Sequence, residues 1–143
     1  MAAKGNGWAA DILKLIFNAT AAANIADNAA SSPLTNLYVS LHTASPGAGG
    51  DQTTNEAAYT GYARVAVART SSGWTVTGQS VSPASTITFP AATGGSETET
   101  YFAVGTASSG AGVLLYFGAI SPTIAVANGV TPELTTSSTV TES

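Results

Sequence analysis

The chain reads as a mainly β protein: an antiparallel β-sandwich or jelly-roll-like domain carrying one N-terminal α-helix. Two observations predict this. The spacing of apolar residues changes from helical to strictly alternating near Pro33. About eight short runs rich in Thr, Val and aromatic residues follow, separated by Gly- and Ser-containing turns. Only 8% of the 143 residues are charged, where a soluble domain typically has about 25%, so most of the surface must be built from Ala, Ser, Thr and Gly. The length suits a single domain, with the helix and a linker in residues 1–33 and the β-domain in 34–143.

The helix is expected over about residues 7–23. Trp8, Ile12, Leu15, Ile16, Ala19 and Ala23 share one face, Asn6 is placed to cap it, and Asp11 lies near its positive end. The stretch 24–33, rich in Asn, Asp, Ser and Pro, ends it. Leu37, Val39 and Leu41 then alternate with Tyr38, Ser40 and His42, the pattern of a half-buried strand. SPGAGG interrupts regular structure in a loop from 43 to 60. The 44–61 stretch is expected to be a contact element, dispensable for folding. Strands are predicted over 62–69 and 73–77, linked as a hairpin by residues 70–73, and over 85–89, 100–106, 112–118, 123–127 and 137–141. Expected core residues are Leu37, Val39, Leu41, Val65, Val67, Ile87, Phe89, Val104, Val113, Leu115 and Phe117.

Composition excludes several classes of function. The chain has no Cys, hence no disulfide and no thiolate metal site. Its net charge is −4 and its four basic residues, Lys4, Lys14, Arg64 and Arg69, are dispersed, which argues against nucleic acid as a partner. No run of apolar residues is long enough for a transmembrane helix, so no membrane partner is expected. Asp11 and Lys14 interrupt the apolar N-terminal stretch, which is read as part of the mature protein rather than a signal peptide.

Candidate chemistry is sparse. His42 is the single histidine, and a Ser-His-Asp site would have to recruit it with a residue such as Asp51, without a G-x-S-x-G elbow to present the nucleophile. Asp51 and Glu56 lack the spacing of an EF-hand loop, and a solvated loop held by Asx turns is the simpler reading. SPGAGG lacks the Lys and the spacing of a phosphate loop. Glu97 and Glu99 fall on one face of a strand end that is read as solvated. The Asn18-Ala19-Thr20 sequon sits in a predicted helix and is read as accidental. Arg64 and Arg69 suit intersubunit carboxylate pairs or the guarding of a strand edge. The expectation is a non-enzymatic protein with no cofactor, no metal and no catalytic residue.

The phrases NLYVSLHTASPG, GDQTTNEAAYTGYARVAVAR and GWTV, within residues 8–77, resemble a family of small structural proteins from tailed-bacteriophage virions, variously tail-fibre-like or capsid-associated. The resemblance implies a virion component assembled in the host cytoplasm. The resemblance does not settle which part of the virion; compact size and analogy of fold favour a capsid decoration, or cement, protein that binds the major capsid protein or other virion proteins and stabilises the assembled shell by mass action. The alternative is a tail, tail-fibre or baseplate component binding another virion protein or a host glycan. A homo-oligomer, dimer or trimer, is expected. The residues assigned to the partner interface are Trp8, Ile12, Ser45, Pro46, Asp51, Glu56, Tyr59, Tyr62 and Arg64.

Overall fold

The computed structural model describes residues 6–21 and 33–142. The chain is mainly β, its assigned strand pairs are antiparallel, and it has one helix, as the periodicity predicts. It divides into two compact units, both assembled from separate stretches of sequence. One takes in the described parts of Met1–Asn36 together with Val67–Thr86 and Thr135–Ser143; the other comprises Leu37–Ala66 and Ile87–Leu134.

In the first unit, α1 (Asn6–Asn18) packs on the strands β3 (Trp74–Thr77) and β4 (Ser80–Pro83). Its buried stripe is Ala9, Leu13 and Phe17, at i, i+4 and i+8. This is one position over from the predicted face, and Trp8 is 39% exposed. The reason is packing. Ala9 lets the helix approach closely, and the Phe17 ring meets Trp74 edge-on, centroids 4.7 Å apart. The helix stops at Ala19, which adopts φ +52; Ala23 lies outside the described residues. Arg69 completes the helix end. Its guanidinium donates to the carbonyls of Leu15 (2.8 Å), Ile16 (2.7 Å) and Leu34 (2.6 Å), placing a cation where last-turn carbonyls have no intrahelical partner. Strand β4, missed in the sequence, pairs with β3 across the two-residue turn Gly78-Gln79, and β9 (Val140–Thr141) pairs with β4.

In the second unit, β1 (Asn36–His42) pairs with β6 (Ser96–Gly105) in a register that sets Val39 against Val104 and Leu41 against Phe102. The sheet order is β2-β1-β6-β7, with β7 (Leu114–Ala127) at one end and β2 (Val65–Ala68), of which only Val65 and Ala66 belong to this unit, at the other. A second pair joins β5 (Ile87–Thr88) to β8 (Glu133–Leu134). The predicted hairpin at 70–73 does not form. A turn closes there, Gly73 N–H to Thr70 C=O at 3.0 Å, but β2 and β3 belong to different sheets.

Two other expectations change. Strand β1 is not half-buried: Ser40 and His42 are as buried as Leu41, because β1 is interior to the sheet and covered on both faces. The predicted strands 112–118 and 123–127 are a single strand, β7. Its register on β6 jumps from Ala119 opposite Tyr101 to Ile124 opposite Glu99, leaving 120–123 out of line. Leu37, Val39, Leu41, Ile87, Phe89 and Val104 are core residues as expected. Val65, Val67 and Leu115 are only half-buried, while Val113 is 59% and Phe117 37% exposed. Alternation of apolar residues does not distinguish an interior strand from an edge strand, and β7 is an edge.

Leu41→Ala should lower unfolding free energy by ~2–5 kcal/mol and Phe17→Ala by ~3–5 kcal/mol, the range for emptied core sites. Val113→Ala should stay within about 0.5 kcal/mol. Urea titrations followed by far-UV circular dichroism check all three; equal costs at Leu41 and Val113 would contradict the burial described.

Candidate functional site

The polar clusters of the second unit begin with β1. Being two apart, Ser40 and His42 point to the same side of the strand, and Ser40 Oγ lies 2.8 Å from His42 Nε2. His42 Nδ1 lies 2.9 Å from the Thr54 carbonyl. A carbonyl only accepts, so Nδ1 carries the proton and Nε2 accepts from the Ser40 hydroxyl. Burial lowers the His42 pKa from its ordinary 6.5, keeping the ring neutral. The pair has the contacts of a nucleophile and base. Both residues are 0% exposed, however, so no substrate reaches them, and the arrangement serves to hold the 43–60 loop against the strand.

That loop is held at further points. Asp51 Oδ1 accepts from Thr53 N–H (2.8 Å) and Thr53 Oγ1 (2.6 Å), an Asx turn that holds its carboxyl below the usual range. Gln52 is fully buried. Its Oε1 accepts from Ala107 N–H at 2.9 Å, and its own N–H donates to the Ala111 carbonyl at 2.9 Å. The side chain lies in a slot that exists because residues 105 and 112 are glycines. A Cβ at either position would collide with Gln52, and Gly112 also has φ +54.

Arg64 fastens the same two segments more strongly. Its Nε and Nη2 form a fork on Glu56, at 2.6 and 2.8 Å. Nη1 donates to the Ala107 carbonyl at 2.8 Å and Nη2 to the Gly110 carbonyl at 2.7 Å. Its side chain is 2% exposed. Tyr62 donates its hydroxyl to Glu56 at 2.9 Å and receives the Leu41 N–H at 3.2 Å; burial, then the Glu56 carboxylate, raises its pKa. Glu56, Tyr62 and Arg64 line a surface depression of about 260 Å³ with Ser108, Ser109 and Gly110. Glu56 and Arg64 are committed to partners there, so the depression offers seryl hydroxyls rather than a free acid, base or nucleophile.

A carboxyl pair lies on β6. Glu97 Oε1 accepts the N–H groups of Ala58 and Tyr59, both at 2.8 Å. Glu99 is fully buried and receives no donor at either oxygen. As a carboxylate it would be uncompensated; as the acid it has one hydrogen bond to give, to Glu97. Burial first, and Glu97 second, push Glu99 up to about 8. Tyr59, buried with its hydroxyl donated to the Pro90 carbonyl at 2.9 Å, is pushed up to about 12 by burial and by both glutamates.

The predicted interface residues therefore occupy unlike places. Trp8 and Ser45 are exposed, Ile12 and Asp51 half-buried, Pro46 and Tyr59 buried. Glu56, Tyr62 and Arg64 are brought together and bonded to one another. Arg64 and Arg69, expected to pair between subunits or guard an edge, are engaged inside the chain. The 43–60 loop is integral from Gln52 onward, where Gln52, Ala57 and Tyr59 are buried, which differs from a dispensable loop. Sequence reasoning missed Gln52 and took Glu97 and Glu99 for solvated residues, whereas Glu99 is enclosed. Gly105 and Gly112 were the available hint for Gln52, glycines that leave room for a neighbouring side chain. Among the described residues no group of three or more His, Asp or Glu assembles that could hold a metal ion.

A family model described as podophage GP4 fiber I protein gp80 matches residues 7–142. This extent defines the class: a tailed-phage virion structural protein. The chain belongs to the podophage GP4 fiber I protein family and is a component of the virion. A comparison with curated proteins found no match.

Arg64→Leu should lower unfolding free energy by roughly 3–5 kcal/mol, because it leaves Glu56 half-buried and unpaired; Arg64→Lys, without the fork, should recover only part of it. Retention of wild-type stability by Arg64→Leu in a urea titration would refute the clamp. Glu99 gives a pH signature. Its folded pKa of about 8 is above the ordinary 4.5, so its contribution is complete below about 4.5 and is lost as pH rises through about 8. Glu99→Gln should abolish that decline. His42 acts oppositely: its lowered pKa removes stability as pH falls below 6.5. Unfolding titrations across pH check both signs.

Proposed function

We propose that this chain is a non-catalytic component of a podophage tail fibre, acting by attachment to other virion proteins. The observation that carries this reading is the fibre family match over residues 7–142. The polar clusters support it. Ser40, His42, Glu56, Tyr62 and Arg64 are used for internal bonding, and the surface available for contact is made of short uncharged side chains with exposed Trp8 and Ser45. Fibre assembly needs many copies held in fixed geometry, and small side chains lose little rotamer entropy when covered. The capsid-cement reading draws on size and fold class alone and is the weaker of the two.

Gold-labelled antibody against this chain on purified virions should mark the tail fibres; label distributed over the capsid would restore the cement reading. Attachment should depend weakly on salt, because screening acts mainly on exposed charges and only 8% of residues are charged. Rebinding of purified chain to particles lacking it, at low and high salt, checks this; steep loss at high salt would show that charge pairs dominate the contact.

A further inference from the structure

Two asparagines of the chain precede glycine: Asn6 before Gly7 and Asn128 before Gly129. Such a step is the most reactive setting for an asparagine side chain, because glycine has no Cβ to keep its backbone nitrogen away from the neighbouring side-chain carbonyl. Both asparagines are exposed, and a Cβ built on either glycine would meet nothing within 4 Å. Space and access are therefore alike at the two steps. Their backbone bonding differs. Gly129 N–H donates to the Ala92 carbonyl at 2.7 Å, and Val130 N–H closes the turn on the Ala127 carbonyl at 2.9 Å. Gly129 is held there at φ +89. Asn6 and Gly7 instead open α1, where the first N–H groups have no acceptor within the helix and the terminal turn frays.

From this contrast we propose that Asn6 is a site of spontaneous covalent modification, converting to aspartate or isoaspartate, while the folded turn protects Asn128. The reaction needs only water. The Gly7 backbone nitrogen attacks Cγ of Asn6, the new C–N bond closes a cyclic imide, and the side-chain nitrogen leaves as ammonia with the proton that the Gly7 nitrogen gives up. Water then adds to the imide and opens the ring. Addition at the side-chain carbonyl gives aspartate; addition at the main-chain carbonyl gives isoaspartate, with an extra carbon in the backbone. Nothing is oxidised or reduced. At Asn128 the same attack requires the Gly129 N–H to leave Ala92 and the turn to open. The aspartate product places a negative charge at the positive end of α1, whose first turn holds no acidic side chain, and so favours the helix. The isoaspartate product interrupts the regular backbone of that turn. The reaction is a property of the chain alone and is independent of its place in the virion.

The full chain is kept in warm, mildly alkaline buffer, folded in one arm and in concentrated guanidinium chloride in the other, then digested and mapped by mass spectrometry over time. Trypsin, cutting after Lys4 and Lys14, isolates Asn6 in the peptide 5–14; chymotrypsin, cutting after Phe117 and Leu134, isolates Asn128 in the peptide 118–134. In the folded arm the 5–14 peptide should gain the mass of the acid about tenfold faster than the 118–134 peptide, the factor that one retained hydrogen bond imposes on a rate. In denaturant the two rates should converge. Asn6→Gln should leave the 5–14 peptide unchanged in the folded arm. Equal rates in the folded arm, conversion of Asn128 ahead of Asn6, a 5–14 peptide that converts only in denaturant, or rates that stay apart in denaturant would each overturn the proposal.

Discussion

One guanidinium holds the second unit together. Arg64 grips Glu56 with two bonds and takes the carbonyls of Ala107 and Gly110 with two more, so the 43–60 loop and the 107–110 turn are fixed to the start of the β2 segment. Four of its five donors have acceptors, and the side chain is almost closed to water. A cation so buried is tolerable only when paired and bonded. In a chain with four Lys and Arg residues, committing one wholly to architecture says how the rest of the surface works. Charge here is a structural material, and Arg69 repeats the pattern by closing the end of α1.

The anionic side follows from the same constraint. Glu56 belongs to Arg64. Glu97 commits one oxygen to two backbone N–H groups, fixing Tyr59 and the end of the loop. Glu99 is left buried beside it without a donor, and the proton it retains near neutral pH relieves the repulsion. His42 is neutral for the complementary reason: Thr54 and Ser40 use both ring nitrogens in a place where a charged ring would be poorly solvated. A Ser-His contact and a carboxyl pair suggest hydrolysis when taken by residue type alone. Here Ser40, His42 and Glu97 bond one loop to one sheet.

Much of the fold was legible because periodicity is local. The switch near Pro33 revealed the helix and the first strand, and alternation marked Val39, Leu41 and Ile87 for burial. What could not be read depended on partners. Whether Val113 and Phe117 are covered depends on β7 lying at the edge of its sheet, a property of strand order. The helix stripe shifted by one because Phe17 found Trp74, a residue distant in sequence. The hairpin at 70–73 failed since a turn fixes chain reversal, not the sheet each flanking strand joins. Of the polar network, the residue types were visible but not their pairing. Arg64 and Glu56 are eight apart and bonded; Gln52 and Ala107 are bonded from separate stretches of the unit's sequence.

The exposed apolar residues and the buried charges are two sides of one arrangement. A virion protein that carried its few ions on its contact surface would have to desolvate them when it attached, at a cost that pairing only partly offsets. This chain instead closes Glu56, Arg64 and Arg69 into internal bonds and leaves Leu114, Leu115 and Phe117 on an uncharged edge. Covering apolar surface of that kind removes it from water, worth about 25 cal/mol per Å², without a desolvation penalty for charge. Apolar surface of this kind suits a chain that works within an assembly, and the family of this one is a virion fibre protein.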